Sequence, residues 1–311
     1  MNYAQWLSEW LEVYEKPSIK PKTYSRYAQI IKHHIVGNLG SYRIHELTPP
    51  VLQQYTVSLL QRGNLRRGGG LCPNSVNAIL NVIKNSLKTA YAVGKVNKTP
   101  CDKIRRPKVH ENRVTCFTVA EQKAIEEEIL SKSDIRLYGV IVCLYTGLRL
   151  GELLALEKSD INFADKTISV TKSCHDGFDE FGKFARITDT PKTANSNRVI
   201  PVPRQILPVV EKMYLSSPTP LLISFSLGRA VAVRSYQRSF ERLLNRLKIP
   251  HKGFHSLRHT FATRALECGM DIKTLAEVLG HKNPTVTLKH YAHSLTEHKN
   301  AMMNKVGELF G

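Results

Sequence analysis

Between Asn97 and Arg113 the chain loses all regular apolar spacing, and Asn97-Lys-Thr-Pro100-Cys-Asp-Lys-Ile-Arg105-Arg106-Pro107-Lys108 joins prolines to a basic cluster. Such a stretch reads as an extended linker, so a single core cannot close around this sequence. At 311 residues the chain is long enough for two domains of ordinary size. We expect an all-α first domain over 1–98, a basic linker over 99–113 and a second domain over 114–311. No apolar run approaches the roughly 18 residues of a membrane span. Met1-Asn2-Tyr3-Ala4-Gln5-Trp6 also lacks the profile of a signal peptide, so a cytoplasmic location is expected.

The first domain patterns as helices. Tyr3, Trp6, Leu7, Trp10, Leu11 and Tyr14 recur at helical spacing until Pro17, and Tyr24, Tyr27, Ile30, Ile31 and Ile35 repeat the pattern until Gly37 and Gly40 break it. Thr48 is expected to cap a third helix to Leu60, and Asn74 to Val93 makes a fourth. Between them, Arg62 to Gly70 is too glycine-rich for a helix and reads as a mobile loop. Residues 1 to 110 hold 17 Lys and Arg against 5 acids, or +12, and the rest hold 28 against 21, or +7, which gives the net charge of +19. An excess spread through folded segments predicts a polyanionic partner, most simply nucleic acid. Lys22, Arg26, Arg66, Arg67, Lys84, Lys88, Arg105 and Arg106 are the candidates for contacting it.

The second domain mixes helix and strand. Thr118-Val-Ala-Glu121 is a capping box, Ile135 to Thr146 is apolar enough for a buried helix, and Gly147-Leu148-Arg149-Leu150-Gly151-Glu152 turns into a further short helix. Ile161 to Phe163, Thr167 to Thr171 and Asn197 to Val202 alternate as strands of a small antiparallel sheet, with Lys192 on a hairpin loop in a long polar excursion. Helices over Arg204 to Leu215 and Val233 to Leu247 lead to a chemically dense stretch. There His255, Arg258 and His259 are three and four apart on one helix, and a second helix runs from Asp271 to Gly280, from which His281 projects. Tyr291 follows towards the end of a third helix. Each feature alone would be structural; together they suit a phosphate-handling site with its own nucleophile. The histidines lack metal-site spacing, and six cysteines without paired spacing read as reduced packing residues.

Thr146-Gly-Leu-Arg149-Leu-Gly-Glu152-Leu, Pro191-Lys192-Thr193, His255-Ser-Leu-Arg258-His259, Leu279-Gly280-His281 and Tyr291 together resemble the tyrosine recombinase (phage integrase) family, in order and approximate spacing. The match spans essentially the whole chain. The resemblance implies a SAM-like, all-α core-DNA-binding domain followed by a mixed α+β, mainly helical, catalytic domain. It implies that Tyr291 attacks phosphorus to give a 3′-phosphotyrosyl link, that Lys192 protonates the departing 5′ oxygen, and that His255 assists the phenol. Arg149, Arg258 and His281 would hold the phosphate, as the charge that builds on its oxygens requires. Glu152 is read as an orienting neighbour, and His259 as packing or hydrogen-bonding.

No metal, ATP or other cofactor is implied. The expected partners are double-stranded DNA with core recombination sites and three further copies of the chain, in a tetramer on paired sites formed from free monomers. Accessory bending or directionality factors belong to the same picture, and the nucleoid is the expected place of action. Leu295 to Phe310 carries Met302, Met303, Val306, Leu309 and Phe310, and either docks on a neighbouring protomer or packs on its own domain. The excursion around Lys192, the Gly68 loop and the segment after Tyr291 look most like integrases of conjugative transposons and phages of Gram-positive bacteria. A dimer-resolving recombinase ranks second, ahead of a type IB topoisomerase or a catalytically dead DNA-binding protein. Such integrases often carry a further arm-binding domain, whereas this sequence starts at the core-binding helix; it either works without that domain or lacks a preceding segment.

Overall fold

A computed structural model describes residues 1–98, 103–109, 115–178, 184–189, 197–224, 230–281, 303–304 and 306–308. The chain divides into two compact units, Met1–Asn112 and Arg113–Gly311.

In the first unit, helix α1 (Tyr3–Glu9) starts at a reciprocal cap in which Asn2 Oδ1 accepts from the Gln5 amide and Gln5 Oε1 from the Asn2 amide. It runs on through Trp10–Glu15 in wider i→i+5 turns. Tyr3, Trp6 and Trp10 are wholly buried. Their polar ends reach α5 (Pro73–Ala92): Tyr3 Oη meets Ser86 Oγ at 2.7 Å, Trp6 Nε1 donates to Ser86 O and Trp10 Nε1 to Thr89 Oγ1, both at 3.1 Å. Each ring is therefore buried with its polar group satisfied. Helix α2 (Pro21–Ile30) passes through wide turns at Ile31–Ile35 into α3 (Val36–Leu39), so Gly37 does not break it. One helical glycine costs about 1 kcal/mol, less than the burial of the flanking Ile35 and Leu39 returns. Helix α4 (Pro49–Arg62) follows Thr48, whose side chain makes no capping bond; the prolines opening the first turn need no amide partner there.

Two segments read as loose are tied by hydrogen bonds, the glycine-rich loop within itself and the linker to the first unit. In the glycine-rich loop Asn64 donates its amide to Gly69 O at 2.9 Å, and its Oδ1 accepts from the amides of Arg66 and Arg67 at 3.2 Å. Lys103–Val109 of the linker follows α4 and α5. Gln53 takes the amide of Arg105 at 2.8 Å and donates to its carbonyl, Asn77 donates to Pro107 O at 3.1 Å, and Arg106 donates to Asn81 Oδ1 at 2.7 Å.

The second unit opens with α6 (Val119–Ser131), capped as expected by Thr118 and Glu121. Its centre is α7 (Tyr138–Thr146), buried on nearly every side. Helix α8 (Leu150–Ala155) leads to β1 (Ile161–Asn162), β2 (Thr167–Val170) and β5 (Arg198–Pro201), an antiparallel sheet in the order β1-β2-β5 with Ile168 opposite Ile200. The polar excursion also holds strands: β3 (Ser173–Phe178) pairs with β4 (Phe184–Asp189) through six residue pairs. Sequence alternation missed them because their polar residues serve other elements. Asp176 accepts the amides of Val233 and Arg234 at the start of α10 (Val233–Arg246), and Arg186 donates to Leu154 O. Helices α9 (Leu207–Ser216), α11 (His255–Glu267) and α12 (Ile272–Leu279) follow the sheet. Cys143 and Cys174 are buried and Cys116 half-buried, but Cys72 and Cys268 are exposed, so the packing role expected of all the cysteines fails for those two; Cys101 lies outside the described residues. Among the described residues no helix is long and apolar enough to cross a membrane.

Candidate active site at the Gly147 turn

Helix α7 ends at Gly147 in the left-handed conformation, φ 66°. Only glycine fits there, because an added Cβ would lie 2.6 Å from Phe261 Cδ1 and 2.7 Å from Leu279 Cδ2. Two residues on, Arg149 stands at the N-cap of α8, where Glu152 Oε2 accepts its amide at 2.9 Å and Oε1 its Nη1 at 2.7 Å. The Arg149 side chain thus donates one hydrogen bond to Glu152 and is 37% exposed.

Arg258 comes from α11 and is only 2% exposed. Its Nη1 donates to Gly147 O at 2.9 Å, and its Nη2 to Leu279 O at 2.7 Å and to His281 Nε2 at 2.8 Å. These acceptors orient the guanidinium without cancelling its charge. A guanidinium can only donate, so His281 Nε2 accepts and the ring carries its proton on Nδ1. His281 is presented by α12, capped by Asp271, whose Oδ1 takes the amides of Lys273 and Thr274 at 3.0 Å. The helix ends at Gly280 with φ 66°, and His281 returns its amide to Ala276 O at 2.9 Å. The structure therefore brings Arg149, Arg258 and His281 together around one turn.

The shared helix face expected for His255, Arg258 and His259 holds only for the two histidines, whose rings meet edge to face with centroids 4.6 Å apart. Arg258 turns inward instead. Lys192 and Tyr291 lie outside the described residues, as does most of Leu295 to Phe310; of that segment Met303 and Val306 are helical and exposed.

Glu152, read as an orienting neighbour, is 5% exposed and bound by Arg198 as well as by Arg149. Burial alone would raise its carboxyl, but the hydrogen bonds and charge of Arg198, with the charge of Arg149, hold it at about 2. Arg198 was not singled out in the sequence, where it reads as an ordinary strand residue. The signal available was an arginine within an otherwise apolar strand.

In the first unit the exposed Lys22, Arg26, Arg66, Arg67, Lys88, Arg105 and Arg106 and the half-buried Lys84 lie on α2, the Gly68 loop, α5 and the linker. Arg26 and Arg66 are brought to one cleft of about 450 Å³, lined also by Gln29, His33, His34 and Asn64.

Residues 115–298 match the phage integrase family, and residues 2–60 match its N-terminal SAM-like domain. The chain belongs to the phage integrase family. It is accordingly a tyrosine site-specific recombinase, of the kind that integrates and excises mobile elements. A relative described as tyrosine recombinase XerC-like, from Caldanaerobacter subterraneus subsp. tengcongensis, is 28% identical over 97% of this chain and 81% of its own length. The transposase from transposon Tn916 of Enterococcus faecalis is 22% identical over 94% of this chain and 75% of its own. The integrase of transposon Tn1549, solved with a circular intermediate DNA, shares the fold at a TM-score of 0.80 and 22% identity, covering 98% of this chain and 99% of that one.

Proposed function

We propose that this recombinase cleaves and rejoins double-stranded DNA at core sites through a 3′-phosphotyrosyl link on Tyr291. The observation that carries the reading is the Arg258 guanidinium, buried, still charged, and fixed between the Gly147 turn and His281. Together with Arg149 it sets a second guanidinium charge at the oxygens of one phosphate, where charge accumulates as the fifth bond to phosphorus forms. His281 is the third group on those oxygens, through Nδ1–H or after Nε2 leaves Arg258. A phenol with a pKa of about 10 is a weak nucleophile at neutral pH, so His255 takes part in moving its proton and Lys192 protonates the departing 5′ oxygen. The covalent link stores the energy of the broken phosphodiester, and a hydroxyl of another strand can resolve it without ATP.

Exchange between two duplexes needs four strand cleavages, which a tetramer on paired sites supplies. The basic first unit and linker grip the DNA backbone, and the nucleoid is the place of action. The test is covalent trapping on nicked DNA carrying a core site. A denaturation-resistant adduct at the 3′ phosphate is expected from the natural chain and absent from Tyr291→Phe at equal DNA binding. Arg149→Lys is expected to bind but to cleave poorly, since an ammonium cannot make the forked contact. An adduct that survives Tyr291→Phe removes the nucleophile assignment.

A further inference from the structure

Arg198 enters from β5 with its side chain 6% exposed. Its Nη2 donates to Glu152 Oε2 at 2.8 Å, its Nη1 to Oε1 at 3.2 Å, and its Nε to Val278 O at 2.6 Å. It also packs under Gly280, where an added Cβ would lie 3.1 to 3.3 Å from its Nη1, Cδ and Cζ. Val278 and Gly280 form the helix end that presents His281, and Glu152 holds the N-cap that presents Arg149. One guanidinium therefore ties both presenting elements to each other.

We propose that Arg198 is a positioning residue of the recombination site: it occupies Glu152 so that Arg149 stays available to the DNA phosphate, and it anchors the helix end that carries His281. The inference rests on the assignment of Arg149 and His281 to the phosphate made above. A carboxylate offers two oxygens matched to a single guanidinium fork. With Arg198 present, Oε2 is shared between Arg198 and the Arg149 amide, and Oε1 between the two guanidinium groups, so the Arg149 side chain keeps a single bond to Glu152. Without Arg198, the Arg149 fork can close on both oxygens and its charge is cancelled where the phosphate needs it. Among the described residues, Arg149, Arg198 and Arg258 against the Glu152 carboxylate sum to +2, and removing Arg198 lowers that sum to +1. Arg198 spends its fork on the Glu152 carboxylate, whereas the bonds of Arg258 go to two carbonyls and an imidazole, so the effect of Arg198 passes through Arg149 and His281.

The experiment compares Arg198→Met, Arg198→Lys and each of these combined with Glu152→Gln, in the full chain on nicked core-site DNA. The readouts are DNA affinity, folded fraction, and the single-turnover rate of Tyr291-dependent adduct formation per folded molecule. Arg198→Met is expected to bind DNA within about twofold of the natural chain and to form adduct roughly a hundredfold more slowly, the scale of a lost transition-state contact. The double variant is expected to regain about tenfold, because no carboxylate remains to capture Arg149. A purely structural role predicts fewer folded molecules, an unchanged rate per folded molecule and no gain in the double variant; that pattern overturns the inference. If Arg198→Met does not fold, Arg198→Lys with and without Glu152→Gln decides by the same comparison. An unchanged rate in the single variants sinks this inference alone, leaving the Tyr291 assignment standing. No adduct from the natural chain on a site it binds overturns that assignment and this inference with it.

Discussion

Glu152 carries a full charge in a place where a lone carboxylate would give it up. Its folded-state pKa of about 2 lies below the 4.5 of a free glutamate, so its stabilising contribution is complete above about 4.5 and is lost as pH falls towards 2. A depression of that size corresponds to something on the order of 3 kcal/mol. The stability gap between the natural chain and Glu152→Gln, read from urea midpoints, is therefore expected to narrow steadily as pH falls from about 4.5 to about 2. A gap that stays constant would show that the two arginines do not hold the carboxylate in its charged form. Arg149 and Glu152 were legible in the sequence because their contact is local, three positions apart on a helix start. Arg198 was not, since its carboxylate partner is 46 residues away. The inward turn of Arg258 was equally hidden: a helical charge is ordinarily read as exposed, and the carbonyls that accept it come from two other elements.

Helix boundaries in the second unit were readable wherever a local chemical signal marks them. Thr118 and Glu121, Asp271, Gly147 and Gly280 each do in the structure what their residue types suggested. The β3–β4 hairpin was lost because Asp176 and Arg186 face other elements and spoil the alternation that strands are read from. The continuation of α2 into α3 was lost because a glycine signal was weighed without the burial on both sides of it. Gly147 and Gly269 separate conformation from crowding: both have positive φ, 66° and 91°, but a methyl group at Gly269 would meet nothing within 4 Å. Gly269→Ala is expected to cost about 1 kcal/mol for the backbone alone, and Gly147→Ala about 3 kcal/mol once overpacking against Phe261 and Leu279 is added. Equal losses in chemical unfolding would mean that the neighbours of Gly147 yield to the methyl group.

Charge is the property of the whole molecule that the sequence displayed most plainly, at +19 overall and concentrated in the first 110 residues. Affinity for a core site is expected to fall log-linearly with salt, by roughly a thousandfold or more between about 50 and 200 mM. Arg26→Ala and Arg66→Ala are each expected to reduce the slope by about one unit. A shallow slope in a titration by fluorescence anisotropy would remove the electrostatic account of binding. The break in composition near residue 100 was enough to suggest two bodies, but it did not show that Gln53, Asn77 and Asn81 hold part of the connecting segment against the first. The Glu152–Arg198 pair also limits how such a chain can diversify by descent. Changing Glu152 alone takes the carboxylate away from buried Arg198, and changing Arg198 alone lets Arg149 close on Glu152, so lineages replace the two together or through a weakened intermediate. A gene mosaic joined anywhere between these two codons inherits the halves of the lock from different parents, and works only where both parents kept the same key.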